Sequence, residues 1–226
     1  MIKVDGATIS RVILNGKDIH QVWVDGVMVF PSRKLEVHEF TEATGKKYLD
    51  VPEWATAIAI VAIGGGGGGA GGAQVARGSH LSAGEPGTVG YKIITDPDVM
   101  REAKTVDVTV GAGGDGGGTT GYNRAPSKGT SGYPTRVNVF DSDYFQTERL
   151  QQLGGEGGSG TGNRSEKPLV YDTFAETIPG IVDKGTCLQL PSGTGVGGAG
   201  GLSGVYPEPG RSGGVGWVKI AFYAGY

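Results

Sequence analysis

Hydrophobic positions along this chain come in short runs, and glycine separates the runs. Residues 55–63 read Ala-Thr-Ala-Ile-Ala-Ile-Val-Ala-Ile, an unbroken stretch of strand length with β-branched residues at its centre. Shorter runs with alternating character obey the same logic: LEVHEF (35–40), KKYLDV (46–51), YKIIT (91–95), TVDVTV (105–110), RVNVF (136–140), TCLQL (186–190) and GWVKIAFY (216–223). Each predicts a strand. Thr44-Gly45 is expected to turn the first pair, and Val51-Pro52-Glu53 the second. Two short helices are predicted. One comes after Thr95, with Pro97 near its first turn and Asp98 in capping-box spacing. The other covers Ser142–Leu153 and stops at Gly154.

The first 30 residues repeat with a period of 10: the turn dipeptides Asp5-Gly6, Asn15-Gly16 and Asp25-Gly26 fall at matching positions. Such dipeptides favour two-residue hairpin turns, in which both central residues need positive φ. The spacing predicts strands over Ala7–Leu14 and Lys17–Val24, a small antiparallel β-meander closed by Pro31-Ser32. A unit of this size buries little alone and is expected to pack on a partner or on the domain C-terminal to it. The chain therefore divides into residues 1–32 and residues 33–226.

Composition sharpens the picture. Glycine accounts for 45 of 226 residues, and only four of these precede residue 64. Six consecutive glycines, Gly64–Gly69, come directly after the 55–63 strand, and further glycine-rich segments cover 64–90, 111–132, 154–162 and 192–216. Glycine loses more backbone freedom on folding than any other residue, so ordering these segments requires a structural return. The fold class expected is all-β: an antiparallel β-sandwich whose long glycine-rich excursions leave from one end. Polyglycine can adopt the extended left-handed helix of three residues per turn, and several such segments can bundle through weak Cα–H···O contacts.

The net charge of −3 offers no basic stripe for a phosphate backbone, which argues against nucleic acid. No apolar run approaches the length of a membrane span, and membrane insertion is not expected. The single cysteine, Cys187, can close no internal disulfide and reads as a small core residue within the 186–190 strand. Residues 1–10 lack the shape of a signal peptide, so synthesis in a cytoplasm is expected.

Several motif-like strings lack the context their chemistry needs. The strand-to-glycine junction at 63–72 has no helix after it and no Gly-Lys-Ser/Thr, so it does not read as a phosphate loop. Gly210-Arg-Ser212-Gly-Gly214 has the letters of a nucleophile elbow without the flanking strand and helix. GGSGTGN (157–163) has glycine where a calcium repeat needs aspartate. Asp141 and Asp143 read as a helix N-terminus. His80 reads as a polar, exposed loop residue. No catalytic constellation is visible, so no enzyme, metal or cofactor is expected.

The few side chains within the glycine segments are aromatic, basic or small and polar. Tyr122, Arg124, Tyr133, Tyr206 and Arg211 are the candidate binding residues, because tyrosine gives contact area at low entropic cost and suits stacking on sugars. The alternative is that glycine serves close packing alone.

The order of IKVDG…ILNG…VWVDGVMVF, FTEATGKKYLDVPEWATAIAIVAIGGGGGGAGG, VTVGAGGDGGG and the closing GRSGGVGWVKIAFYAGY resembles the glycine-rich minor tail proteins of tailed bacteriophages, and more distantly the glycine-rich phage adhesins. The likeness is greatest over 35–118 and 193–226. The resemblance implies a virion component at the tail tip or on a fibre. It implies contact with other tail proteins, assigned here to residues 1–32, and with a glycan or protein of the host surface. A homo-oligomer is left open.

Overall fold

A computed structural model describes residues 34–75, 78–122, 124–169, 173–174 and 176–224, with the backbone of 3–4, 7–8, 12–14, 17–19, 22–24 and 27–30. The N-terminal repeat forms three two-stranded hairpins: β1 (Lys3–Val4) with β2 (Ala7–Thr8), β3 (Val12–Leu14) with β4 (Lys17–Ile19), and β5 (Val22–Val24) with β6 (Val27–Phe30). The dipeptides Asp5-Gly6, Asn15-Gly16 and Asp25-Gly26 themselves lie outside the described residues. Residues 9–11 and 20–21, within the expected strands Ala7–Leu14 and Lys17–Val24, lie outside the described residues, and among the described residues each hairpin is its own sheet. The Pro31-Ser32 boundary lies outside the described residues.

From residue 34 the fold is a two-layer antiparallel sandwich. One sheet orders β11 (Val89–Ile94), β9 (Ala57–Ile63), β16 (Trp217–Ala224) and β7 (Lys34–Phe40). The other orders β14 (Gln146–Gln152), β13 (Thr135–Phe140), β12 (Thr105–Thr109) and β8 (Lys46–Asp50). Between them lie Ile58, Ile60, Val218, Ile220 and Phe222 from the first sheet, facing Val106, Val108, Val137 and Val139 from the second. Strand alternation sends the other face of β9 and β16 outward. That face is not left to water. Residues 174–190 fold over it, placing Phe174, Ile178, Val182 and Leu188 on Ala59, Val61, Trp217 and Ala221. Burial on both faces is why β9 is apolar at every position.

Four expectations are corrected. Thr44-Gly45 and Val51-Pro52-Glu53 do not make hairpins: they carry the chain from one sheet to the other and back, since β7 pairs with β16 and β8 with β12. Ser142–Leu153 is not a helix. Asp141 Oδ1 accepts the N–H groups of Asp143 and Phe145, both at 2.9 Å, and Tyr144 takes φ 61°, reversing the chain into β14. Cross-strand pairing with β13 there overrides the helix propensity of Gln, Glu, Arg and Leu. Residues 186–190 form no strand, and Cys187 is exposed rather than core, because Leu188 and Leu190 turn toward the sheet and Cys187 beside them does not. The first predicted helix is present as α1 (Pro97–Glu102). Its cap is Asp96, whose carboxylate accepts from Asp98 N–H at 2.9 Å.

The cover segment is tied down by Glu176. It hydrogen-bonds the Tyr91 hydroxyl, and its bond and charge hold that phenol above its ordinary pKa. Tyr223 is raised as well, chiefly by burial and then by the same carboxylate. Tyr91 also meets Phe174 edge to face at 5.6 Å.

Two β14-to-β8 sheet positions are unusual in being polar and buried. Asp107 on β12 is satisfied by Asn138 Nδ2 at 2.6 Å and Lys46 Nζ at 3.2 Å. Thr135, at the start of β13, lies where the sandwich meets the glycine segments.

Candidate functional site

All the glycine-rich segments leave the sandwich by the end that carries Ile63 and Trp217. There they assemble into a bundle of extended rods. Residues 64–72 form the central rod, and every one of its N–H groups donates outward with a strict period of three. Gly64, Gly67 and Ala70 donate to the carbonyls of Thr88, Glu85 and Ser82. Gly65, Gly68 and Gly71 donate to Tyr133, Thr130 and Ser127. Gly66, Gly69 and Gly72 donate to Gly214, Arg211 and Glu208, and all nine bonds measure 2.8–3.1 Å. Three antiparallel rods therefore receive from the centre.

Three parallel rods give to it. Gly155 and Gly158 donate to Gly65 and Gly68; Gly114, Gly117 and Thr120 donate to Gly66, Gly69 and Gly72; Gly198, Gly201 and Gly204 donate to Gly67, Ala70 and Ala73. The six outer rods also bond to one another in ring order: 82–88, 153–160, 127–133, 111–120, 208–216, 195–204 and back to 82–88. Directions alternate around the ring. Three residues per turn at negative φ is polyproline-II geometry, which has no internal hydrogen bonds and so must find them between rods.

Glycine is required here by proximity, not by dihedral angle. Among the described glycines only Gly45, Gly160, Gly180, Gly185, Gly193 and Gly195 have positive φ. A Cβ on the central glycines would instead lie 1.8–2.1 Å from a backbone carbonyl oxygen of a parallel rod: Gly66 meets Val196, Gly67 meets Glu156, Gly68 meets Asp115 and Gly69 meets Ala199. Those separations fit only a Cα–H···O contact. Ala70 is tolerated in the centre because its row faces the 153–160 rod one turn beyond Glu156, where that chain turns away at Gly160 with φ 69°.

The rods carry the chain about 28 Å from the sandwich at roughly 3.1 Å per residue. Four connections close the far end. Residues 74–81 include β10 (Ser79–His80), which pairs with β15 (Leu202–Ser203). The others are 118–126, 159–162 and 203–208. Ser203 is buried there, its Oγ accepting from the Ala73 N–H at 3.0 Å.

The five candidate residues separate along this axis. Tyr122, 62 % exposed, and Arg124 lie in the 118–126 connection, and Tyr206, 87 % exposed, in the 203–208 connection. Arg211 stands about one turn below, on the bundle flank. Tyr133 is 64 % exposed but sits at the opposite end of its rod, where its carbonyl receives the Gly65 N–H beside the sandwich. It does not share a surface with the others.

Beside Arg211 the structure has a groove of about 810 Å³ that sequence order does not reveal. Residues 163–167 form an additional rod laid over 195–204, with Gly197 and Gly200 donating to the carbonyls of Lys167 and Arg164. The groove is the inside corner between this rod and 208–211. Arg164 reaches across it to Glu208, with Nε also donating to the Gly200 carbonyl at 3.2 Å. Arg211 reaches the other way to Glu166, at 3.7 Å. His80 borders the same space. Among the described residues no group of three or more His, Cys, Asp or Glu is placed to hold a metal ion, and no helix is long and apolar enough to cross a membrane.

A family model described as a glycine-rich domain matches residues 41–225, and the chain belongs to that family. The match takes in the bundle and every sandwich strand except β7. A search of the curated proteins finds no match.

Proposed function

We propose that this protein is a structural component of a bacteriophage tail, a minor tail or tail-tip protein, and that its bundle presents the distal connections to the host surface. The observation that carries the reading is the one-ended architecture. The chain enters the sandwich at Lys34, paired with Ala224 at the end away from the bundle, while every glycine rod leaves by the other end. Residues 1–32 lead in at one end of the sandwich, and Tyr122, Arg124 and Tyr206 stand beyond the other, so attachment and recognition are assigned to opposite ends. Close-packed β structure without disulfides also suits a particle assembled in a host cytoplasm and released by lysis. No catalytic step and no cofactor form part of this proposal.

A second reading is favoured by the packing itself. Proximity between rods accounts for the glycine content, so the bundle needs no ligand to explain its composition. On that reading the protein is a purely structural tail or capsid-decoration protein. Immunogold labelling of intact particles with antibody against residues 64–226, paired with an adsorption-blocking assay, separates the two. Label at the tail tip with blocked adsorption is expected. Label on the head or tail shaft with normal adsorption would leave the structural reading alone.

A further inference from the structure

The geometry points to the groove beside Arg211 as a binding site for a neutral, hydroxyl-rich glycan chain, an inference that rests on the host-contacting reading and names the ligand class. The volume of about 810 Å³ lies within the range of small-molecule sites, and the lining includes Gly162, Ala199, Gly200 and Gly210, which add no side chain larger than a methyl.

The walls set the chemistry. Arg164 crosses to Glu208 from one wall, and Arg211 crosses to Glu166 from the other, so two guanidinium–carboxylate pairs span the same corner in opposite senses. A guanidinium has five N–H donors and a carboxylate about four acceptor positions, so each pair keeps unused donors beside unused acceptors. Adjacent hydroxyls of a sugar ring are both donors and acceptors and can bridge such a set. A uronate or phosphate taking those unused donors would bring a second negative charge beside Glu208 or Glu166, a repulsion that a neutral hydroxyl does not meet. The balance of charge across the corner therefore selects a neutral polyol over an anion. The anchor of Arg164 on the Gly200 carbonyl fixes that side chain before ligand arrives, which lowers the entropic cost of binding.

Affinity electrophoresis of the full chain through gels containing dextran, mannan or galactan, and separately alginate or hyaluronate, tests this. Retardation by at least one of the neutral polymers, unaffected by salt, is expected. Arg211→Ala, at an exposed position that does not threaten the fold, should weaken it by roughly tenfold or more, as should Glu208→Gln. Tyr133→Ala, at the far end of its rod, should leave it unchanged. Retardation by the uronates alone, by none of the five polymers, or equally by wild type and Arg211→Ala would overturn the assignment. Particles bearing Arg211→Ala keep the two proposals apart. If antibody at the tail tip blocks adsorption while these particles adsorb normally, the groove assignment falls and the tip reading stands. If wild-type protein binds a neutral polymer but antibody-coated particles still adsorb, the tip reading falls and the groove remains.

Discussion

The hydroxyl of Thr135 donates to the carbonyl of Ile63 at 2.6 Å, joining the first residue of β13 to the last residue of β9 across 72 positions of sequence. The same oxygen accepts the N–H of Gly111 at 2.9 Å. Three segments therefore meet on one fully buried atom where the sandwich ends and the bundle begins. At the far end of the central rod Ser203 does the equivalent for Ala73.

Thr135→Val keeps the shape and removes both bonds. A buried group left without a partner costs roughly 1–3 kcal/mol, so the variant should lose about 2 kcal/mol or more of unfolding free energy. Thr135→Ser keeps the hydroxyl and should lose only about 1 kcal/mol for the missing methyl. Urea denaturation of the two variants beside wild type checks this. Equal losses would mean that the hydroxyl contributes nothing.

The bundle makes a sharper prediction about glycine. A Cβ at residue 67 would lie 2.0 Å from the Glu156 carbonyl oxygen, and that backbone cannot retreat without breaking the bonds that fix it. Gly67→Ala should cost about 3 kcal/mol or more, beyond ordinary overpacking. Gly118→Ala, with nothing within 4 Å of the added carbon, should change stability by less than about 0.5 kcal/mol. Thermal melts of both proteins decide the matter; equal tolerance of the two would count against the close-packed rods.

Alkaline stability depends on Glu176. It holds Tyr91 protonated above the ordinary value of 10.0, and it adds to the burial that raises Tyr223. A phenol whose pKa is higher folded than unfolded contributes stability that is fully present below pH 10 and is lost as pH rises through the folded value. The urea midpoint should therefore fall above pH 10. Glu176→Gln should flatten that fall by bringing both phenols back toward their unfolded value. An unchanged alkaline profile in this variant would remove Glu176 as its source.

The strands of the sandwich other than β14 were legible because strand-length apolar and alternating runs are a local property, and β9 announced its burial by being apolar throughout. The residues that cover it were not legible: 174–190 has no periodicity, and only its contact with β9 and β16 shows why Phe174, Ile178 and Leu188 are where they are. Composition pointed to extended glycine helices, but the register of seven rods depends on neighbours far apart in sequence. The helix expected over 142–153 failed because the Asp141 turn and pairing with β13 are tertiary facts. The groove was hidden for the same reason. Arg164 and Glu208 are 44 residues apart and meet only because two rods lie side by side.

Position along the rods gives the last prediction its controls. Tyr122 and Tyr206 lie in connections at the far end of the bundle and are mostly exposed, whereas Tyr133 is similarly exposed but stands beside the sandwich. Exposed side chains without buried contacts contribute little to stability, so alanine at any of the three should shift the unfolding free energy by less than about 0.5 kcal/mol. Host adsorption should separate them. Tyr122→Ala and Tyr206→Ala particles should adsorb more slowly, because aromatic anchors carry a disproportionate share of binding energy. Tyr133→Ala particles should adsorb at the wild-type rate. Loss of adsorption in all three would mean that recognition extends down the bundle flank, and loss in none would leave the glycine rods a packing solution without a recognition role.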